Sequence, residues 1–209
     1  MNPKIKNIMK KSFNIVLIGL ALSIVFVPEV KAYAHQGLMK LGFFQPKIEL
    51  PSEIKSENKN YNNGKESNFQ MSFVDTKGNT LSLEQLKGKV VFLNIWATWC
   101  GPCIAEMPSI QKLYDKFKDK EDVAFVILEA ESNKNKAVKF MTNKKLDLPL
   151  YFPSESIPSE SIPSEIFRGS LPTTVIFDKK GNIAHVTEGM ADYSGEDIVD
   201  FLNEVRAMN

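Results

Sequence analysis

Cys100 and Cys103 are the only thiols in the 209-residue chain, and they stand three apart in Trp96-Ala97-Thr98-Trp99-Cys100-Gly101-Pro102-Cys103. The apolar run Val90-Val91-Phe92-Leu93-Asn94-Ile95 precedes them, and Ile104, Met107, Ile110, Tyr114 and Phe117 follow at helical spacing. The pattern predicts a buried strand running into a helix, with the two cysteines at the junction. A helix N-terminus offers unpaired N–H groups and a positive dipole end, so a thiolate is favoured there. The thiolate is the reactive form, which makes Cys100 the residue poised to lose its proton and attack. Cys103 lies one turn further on, near enough to close a disulfide with it. The pair is suited to thiol-disulfide exchange.

Two blander uses of the spacing are weaker. Half of a zinc site would need further ligands, and the chain's two histidines, His35 and His185, lie far away in sequence. A structural disulfide over so short a loop would constrain the unfolded chain little. Neither a metal nor another cofactor is expected.

The elements that must position the pair can be read around it. Phe69 to Phe73 alternates as a strand does. The turn Asp75-Thr76-Lys77-Gly78-Asn79 separates it from a short helical turn at Leu81 to Leu86. Val90–Ile95 and Val123–Leu128 are short and nearly all apolar, like strands covered on both faces. Pro108 falls inside the intervening helix. Lys134 to Lys144 reads as a helix covering the sheet with Ala137, Val138, Phe140 and Met141, and Leu148 to Phe152 as an edge strand. The tandem repeat Ser154-Glu-Ser-Ile-Pro158, Ser159-Glu-Ser-Ile-Pro163 reads as a lengthened loop. Thr173–Phe177 and Ile183–Thr187 flank the turn Asp178-Lys179-Lys180-Gly181-Asn182 as a hairpin. A last helix is expected with Ser194 as its cap, burying Ile198, Leu202, Val205 and Met208. The order predicts an α/β fold with a central mixed sheet and helices on both faces.

Residues 1–34 carry lysines at 4, 6, 10 and 11, an apolar run from Phe13 to Val27, and Ala32-Tyr33-Ala34. They read as a signal peptide cut after Ala34 or as an N-terminal membrane anchor. Residues 35–68, polar from Pro51 onward, read as a linker, and 69–209 as the folded domain. Beyond residue 34 the chain holds 21 basic and 24 acidic side chains, a net charge of −3 that suggests no nucleic-acid partner. Either reading of the leader places the domain outside the cytoplasm, on the periplasmic side of the inner membrane, secreted or membrane-associated.

The segment Trp96 to Cys103, followed by Glu106-Met107-Pro108, resembles the thioredoxin superfamily, and more narrowly the extracytoplasmic TlpA/ResA-like thiol-disulfide oxidoreductases. The resemblance runs from about Phe69 onward. It implies a thioredoxin-like fold and a protein-disulfide reductase acting on disulfide-bearing exported proteins. A membrane electron donor would then return the electrons. It also implies roles for Cys100 as attacking thiolate and Cys103 as resolving thiol. Gly101-Pro102 is the dipeptide seen in reducing thioredoxins. Pro172, in Leu171-Pro172-Thr173, matches a cis proline that packs beside the disulfide and frees backbone groups for a substrate strand. Trp99 is expected at the surface, shaping partner contact, and Trp96 in the core. Asn94 stands where cytoplasmic thioredoxins hold a buried aspartate, and an amide cannot take a proton. Glu106 matches a glutamate near the cysteines of ResA-like proteins, where a partly desolvated carboxylate could exchange protons with Cys103. Glu129 and Glu131 end the third strand without an assigned role, and His185 is expected at the surface. A thiol peroxidase is the weaker enzymatic alternative, because Thr98 is two residues before Cys100 where that chemistry wants three. A redox-silent binding module is the non-enzymatic one.

Overall fold

A single mixed sheet organises the computed structural model, which describes residues 3–27, 30, 33, 36–38, 71–154 and 166–208. The elements are α1 (Pro3–Phe26), β1 (Ser72–Asp75), β2 (Thr80–Ser82), a 3-10 turn (Glu84–Leu86), β3 (Val90–Trp96), α2 (Gly101–Phe117) and β4 (Val123–Glu129). They continue with α3 (Lys134–Lys144), β5 (Leu150–Pro153), β6 (Thr173–Phe177), β7 (Ile183–Glu188) and α4 (Glu196–Ala207). The strand order is β2-β1-β5-β4-β3-β6-β7. β3 pairs in parallel with β4 and antiparallel with β6, so the strand that leads to the cysteines lies inside the sheet.

Alternation along β3 decides what each face receives. Val90, Phe92 and Trp96 enter the core shared with α2, α3 and α4, while Val91, Leu93 and Ile95 enter the opposite core. Asn94 is in step with the first set and therefore faces α2. On that side Phe92 stacks on Phe125 at 5.0 Å between centroids and meets Tyr193 edge-on at 5.2 Å. Truncating such a core ring typically costs about 3–5 kcal/mol. The other face is covered by Leu86 of the 3-10 turn together with Leu81, Leu83, Ile166 and Phe167. The expected mixed sheet flanked by helices is observed, with α2, α3 and α4 on one face and, among the described residues, only the 3-10 turn on the other.

The two Asp-x-Lys-Gly-Asn segments fold alike. In each, the aspartate Oδ1 accepts the N–H groups two and four residues on, and its Oδ2 accepts the asparagine side chain. Gly78 and Gly181 take φ of 90° and 83°, which a side chain would resist.

Four expectations are corrected. The strand expected at Leu148–Phe152 is not an edge, because β1 pairs with β5 on the side away from β4. Ser194 does not cap the last helix: its N–H and hydroxyl both bond Asp192, and Gly195 stands at the cap. Val138 points to solvent, since only Ala137 and Met141 of α3 are fully buried. Met208 is half-buried, and Phe201 fills the place on α4. The first part of the strand expected from Phe69 and the repeat after Ser154 lie outside the described residues, as does the linker apart from 36–38. Among the described residues no helix is long and apolar enough to cross a membrane.

Candidate active site

β3 ends at Trp96, and the chain turns through Ala97–Trp99 to Cys100, which occupies the cap position of α2. Its sulfur accepts the N–H of Cys103 at 3.2 Å, so one of the helix's orphan donors points at the reactive atom. Cys100 and Cys103 are joined as a disulfide with an S–S distance of 2.08 Å. Cys103 has no exposed surface and Cys100 very little. Of the two, only Cys100 has any exposed surface.

The inner side of the site is a buried polar chain. Asn94, directly opposite Thr174 in the β3/β6 ladder, donates through Nδ2 to Thr174 Oγ1 at 2.9 Å and to Glu106 Oε1 at 2.8 Å. The other oxygen of Glu106 accepts the N–H of Ala191 at 3.2 Å. One turn further along α2, Ser109 donates to the Glu106 carbonyl and accepts the N–H of Tyr193. Glu106 thus ties α2 to the sheet and to the segment before α4. It is fully buried, and that burial raises its pKa to about 8, against the opposing pull of the Asn94 and Ala191 hydrogen bonds. Glu106 stands one turn beyond Cys103 on the same helix.

On the outer side, Trp99 is 56% exposed and donates its indole N–H to Glu131 at 2.7 Å. Trp96 is buried and packs on Phe140. Pro102 and Leu171 are half-buried, whereas Gly101, Pro172 and Thr173 are buried. The Leu171–Pro172 bond is cis, and the Pro172 carbonyl accepts the Gly189 N–H at 2.8 Å. Glu129, also fully buried, receives the Asn133 N–H on Oε2 at 2.8 Å. His185 is half-buried beside Phe201, away from the cysteines, and bonds Thr187. Among the described residues no group of His, Cys, Asp and Glu could hold a metal ion.

Sequence reasoning missed Thr174, Ser109 and Ala191. Thr174 was findable in principle, since strand alternation puts it on the inner face opposite Asn94. A backbone N–H such as that of Ala191 carries no signature in the sequence.

The Redoxin family profile matches residues 62–197. A thiol-disulfide oxidoreductase ResA of Bacillus cereus is 35% identical over 143 residues, covering 68% of this chain and 78% of the relative. A thioredoxin-like protein, YneN, of Bacillus subtilis is 37% identical over 119 residues, covering 56% of this chain and 67% of its own. Among solved structures, the thioredoxin domain of a thiol-disulfide oxidoreductase from Bacteroides vulgatus superposes with a TM-score of 0.55 at 23% identity, covering 64% of this chain and 93% of that one, which bears on the fold. With a buried strand delivering a Cys-Gly-Pro-Cys pair to a helix cap, these relationships place the chain in the Redoxin family of the thioredoxin superfamily, as a ResA-like thiol-disulfide oxidoreductase.

Proposed function

We propose that this protein reduces disulfides in exported proteins, with Cys100 as the attacking group and Cys103 as the resolving one. The observation that carries the reading is Cys100 at the cap of α2, its sulfur already receiving a helix N–H. In the reduced protein the Cys100 thiolate attacks one sulfur of a substrate disulfide. A Cys100–substrate disulfide forms and the substrate's other sulfur leaves as a thiolate. The Cys103 thiolate then attacks Cys100 Sγ and expels the first substrate sulfur. Two electrons pass to the substrate, and the pair is left as the disulfide seen here.

Glu106 is proposed to take the Cys103 proton as that step begins. An ordinary thiol titrates near pH 8.5, and a carboxyl held near 8 is matched to it. Asn94, which cannot take the proton itself, supports the charged form of Glu106 by donating to it. Trp99, Pro102 and Leu171 are proposed to form the surface that meets the substrate. Gly101, Pro172 and Thr173 would contribute backbone and shape beneath it.

Residues 1–34 are proposed to direct the domain out of the cytoplasm, with 35–68 as a linker. α1 supports this by making one helix of the basic and apolar parts of that segment. A membrane electron donor would re-reduce the pair.

Insulin reduction by the pre-reduced protein tests the reading. Cys100→Ser should abolish it, because no other cysteine can form the mixed disulfide. Cys103→Ser should attack once and stall as an adduct. Wild-type turnover by the Cys103 variant would show that the two-thiol route is wrong. N-terminal sequencing of the native protein tests the export segment: a start at His35 means cleavage, and an intact segment in the membrane fraction means an anchor. Recovery in the soluble cytoplasm would contradict both.

A further inference from the structure

Two acids at the end of β4, Glu129 and Glu131, take no part in the thiol chemistry described above, yet both are engaged with the loop that carries Cys100. The register sets Glu129 beside Trp96, the last residue of β3. Beyond them the two loops are stitched together: the Ala130 N–H donates to the Trp96 carbonyl at 2.9 Å, and the Trp99 indole donates to Glu131 at 2.7 Å. The turn that presents Glu131 is not relaxed, since Ser132 sits at φ 58°, a region that costs a side-chain-bearing residue energy unless its surroundings hold it. Glu129 supplies that hold from below by accepting the Asn133 N–H at 2.8 Å. Its Oε1 has no hydrogen-bond partner although the residue is fully buried. Burial raises its pKa, against the opposing pull of the Asn133 hydrogen bond.

An exposed indole gains little from burial and has a single polar handle, so its orientation depends on what its N–H bonds. Here the acceptor is a carboxylate at short distance, which makes the stronger kind of hydrogen bond. We infer that Glu131, presented by a turn that Glu129 secures, is a positioning residue that orients Trp99 beside Cys100 for recognition of polypeptide disulfides. The inference rests on the reading that Cys100 attacks protein substrates. A small disulfide, which needs no such surface, reports the chemistry of the pair alone.

The experiment measures the rate at which the pre-reduced full chain is oxidised by insulin and, separately, by dithiobis-nitrobenzoate, counting thiols by alkylation after acid quenching. Glu131→Ala and Trp99→Phe should each lower the second-order rate constant with insulin by about threefold to tenfold, the worth of one modest hydrogen bond. Glu131→Ala should leave the small-disulfide rate within about twofold. Glu131→Gln, which can still accept the indole N–H, should restore most of the insulin rate. The double variant Glu131→Ala/Trp99→Phe should be no worse than either single one, because both remove the same bond. Additive losses, or equal losses on both substrates, would overturn the inference. If wild type oxidises with the small disulfide but not with insulin, the reading of protein substrates fails instead. Glu129→Gln keeps an acceptor for the Asn133 N–H and should behave as wild type. Glu129→Ala, where it folds, should reproduce the Glu131→Ala pattern.

Discussion

Glu106 and Glu129 are the same residue type, both fully buried on the helix-covered face of one sheet, and they are held in opposite ways. Glu106 has a donor on each oxygen, from Asn94 and Ala191, which lie 12 and 85 residues away in sequence. Glu129 has its donor from Asn133, four residues on, and its second oxygen has none. Burial raises the pKa of both, so desolvation alone does not distinguish them; the reach of their partners does. Long-range donors tie Glu106 to sheet, helix and C-terminal segment together, one turn from Cys103. A local donor ties Glu129 to one turn, where it can shape a neighbouring loop. The first arrangement suits proton exchange and the second suits support.

The largest expected effect separates the two by rate. Glu106→Gln should slow resolution of the Cys100 mixed disulfide by about a hundredfold or more, the usual worth of a matched general base, and leave the initial attack nearly unchanged. Glu129→Gln should not alter resolution. Stopped-flow measurement of the two half-reactions checks both; equal slowing in the two variants would erase the distinction.

Stability should differ next. The folded pKa of Glu106 lies near 8 against an ordinary 4.5, so between those values the folded chain keeps a proton that the unfolded chain has released. The stability this group contributes is full below about pH 4.5 and is lost as pH rises through about 8. The difference in unfolding free energy, wild type minus Glu106→Gln, should therefore fall across that window in urea titrations of the oxidised protein. A flat difference would contradict the raised pKa.

Asn94→Ala tests the partner. Removing it takes a donor from Glu106 and from Thr174, which should cost about 1–3 kcal/mol. It should also move the titration of Glu106 still higher, because that bond favours the charged carboxylate. A lower or unchanged titration, read from the pH dependence of unfolding, would remove Asn94 from the proton chain.

Smallest is the effect of the outer pair on the chemistry itself. Glu131→Ala should leave the pH profile of resolution unchanged, since Glu131 bonds an indole at the surface. A shifted profile would join the two regions that the comparison keeps apart.

What was legible in the sequence follows the same division between local and distant. The Cys100/Cys103 pair, its strand and its helix are contiguous, so periodicity and spacing located them. The two Asp-x-Lys-Gly-Asn turns were legible for the same reason, each being closed by its own aspartate and glycine. β5 was misread as an edge because β1, which covers it, arrives from far earlier in the chain. Ser194 looked like a cap, but a competing local acceptor, Asp192, takes its hydrogen bonds. Glu106 was singled out by its place after the cysteines. Its full burial and its bond to Ala191 were not, because they depend on where a remote segment packs.

The central claim, that Glu106 serves Cys103, is tested most directly by the pH dependence of resolution alone. The Cys100–substrate adduct is formed first, and Cys103 is then released to attack across a pH series in wild type and in Glu106→Gln. Wild type should show a rate that rises with pH through an inflection near 8, far above that of a free glutamate. The Gln variant should be slower and should lose the Glu106 inflection, keeping only the rise that comes from ionisation of the Cys103 thiol. The same profile in both proteins would contradict the account and leave Glu106 as a buried structural tie between α2, β3 and the segment before α4.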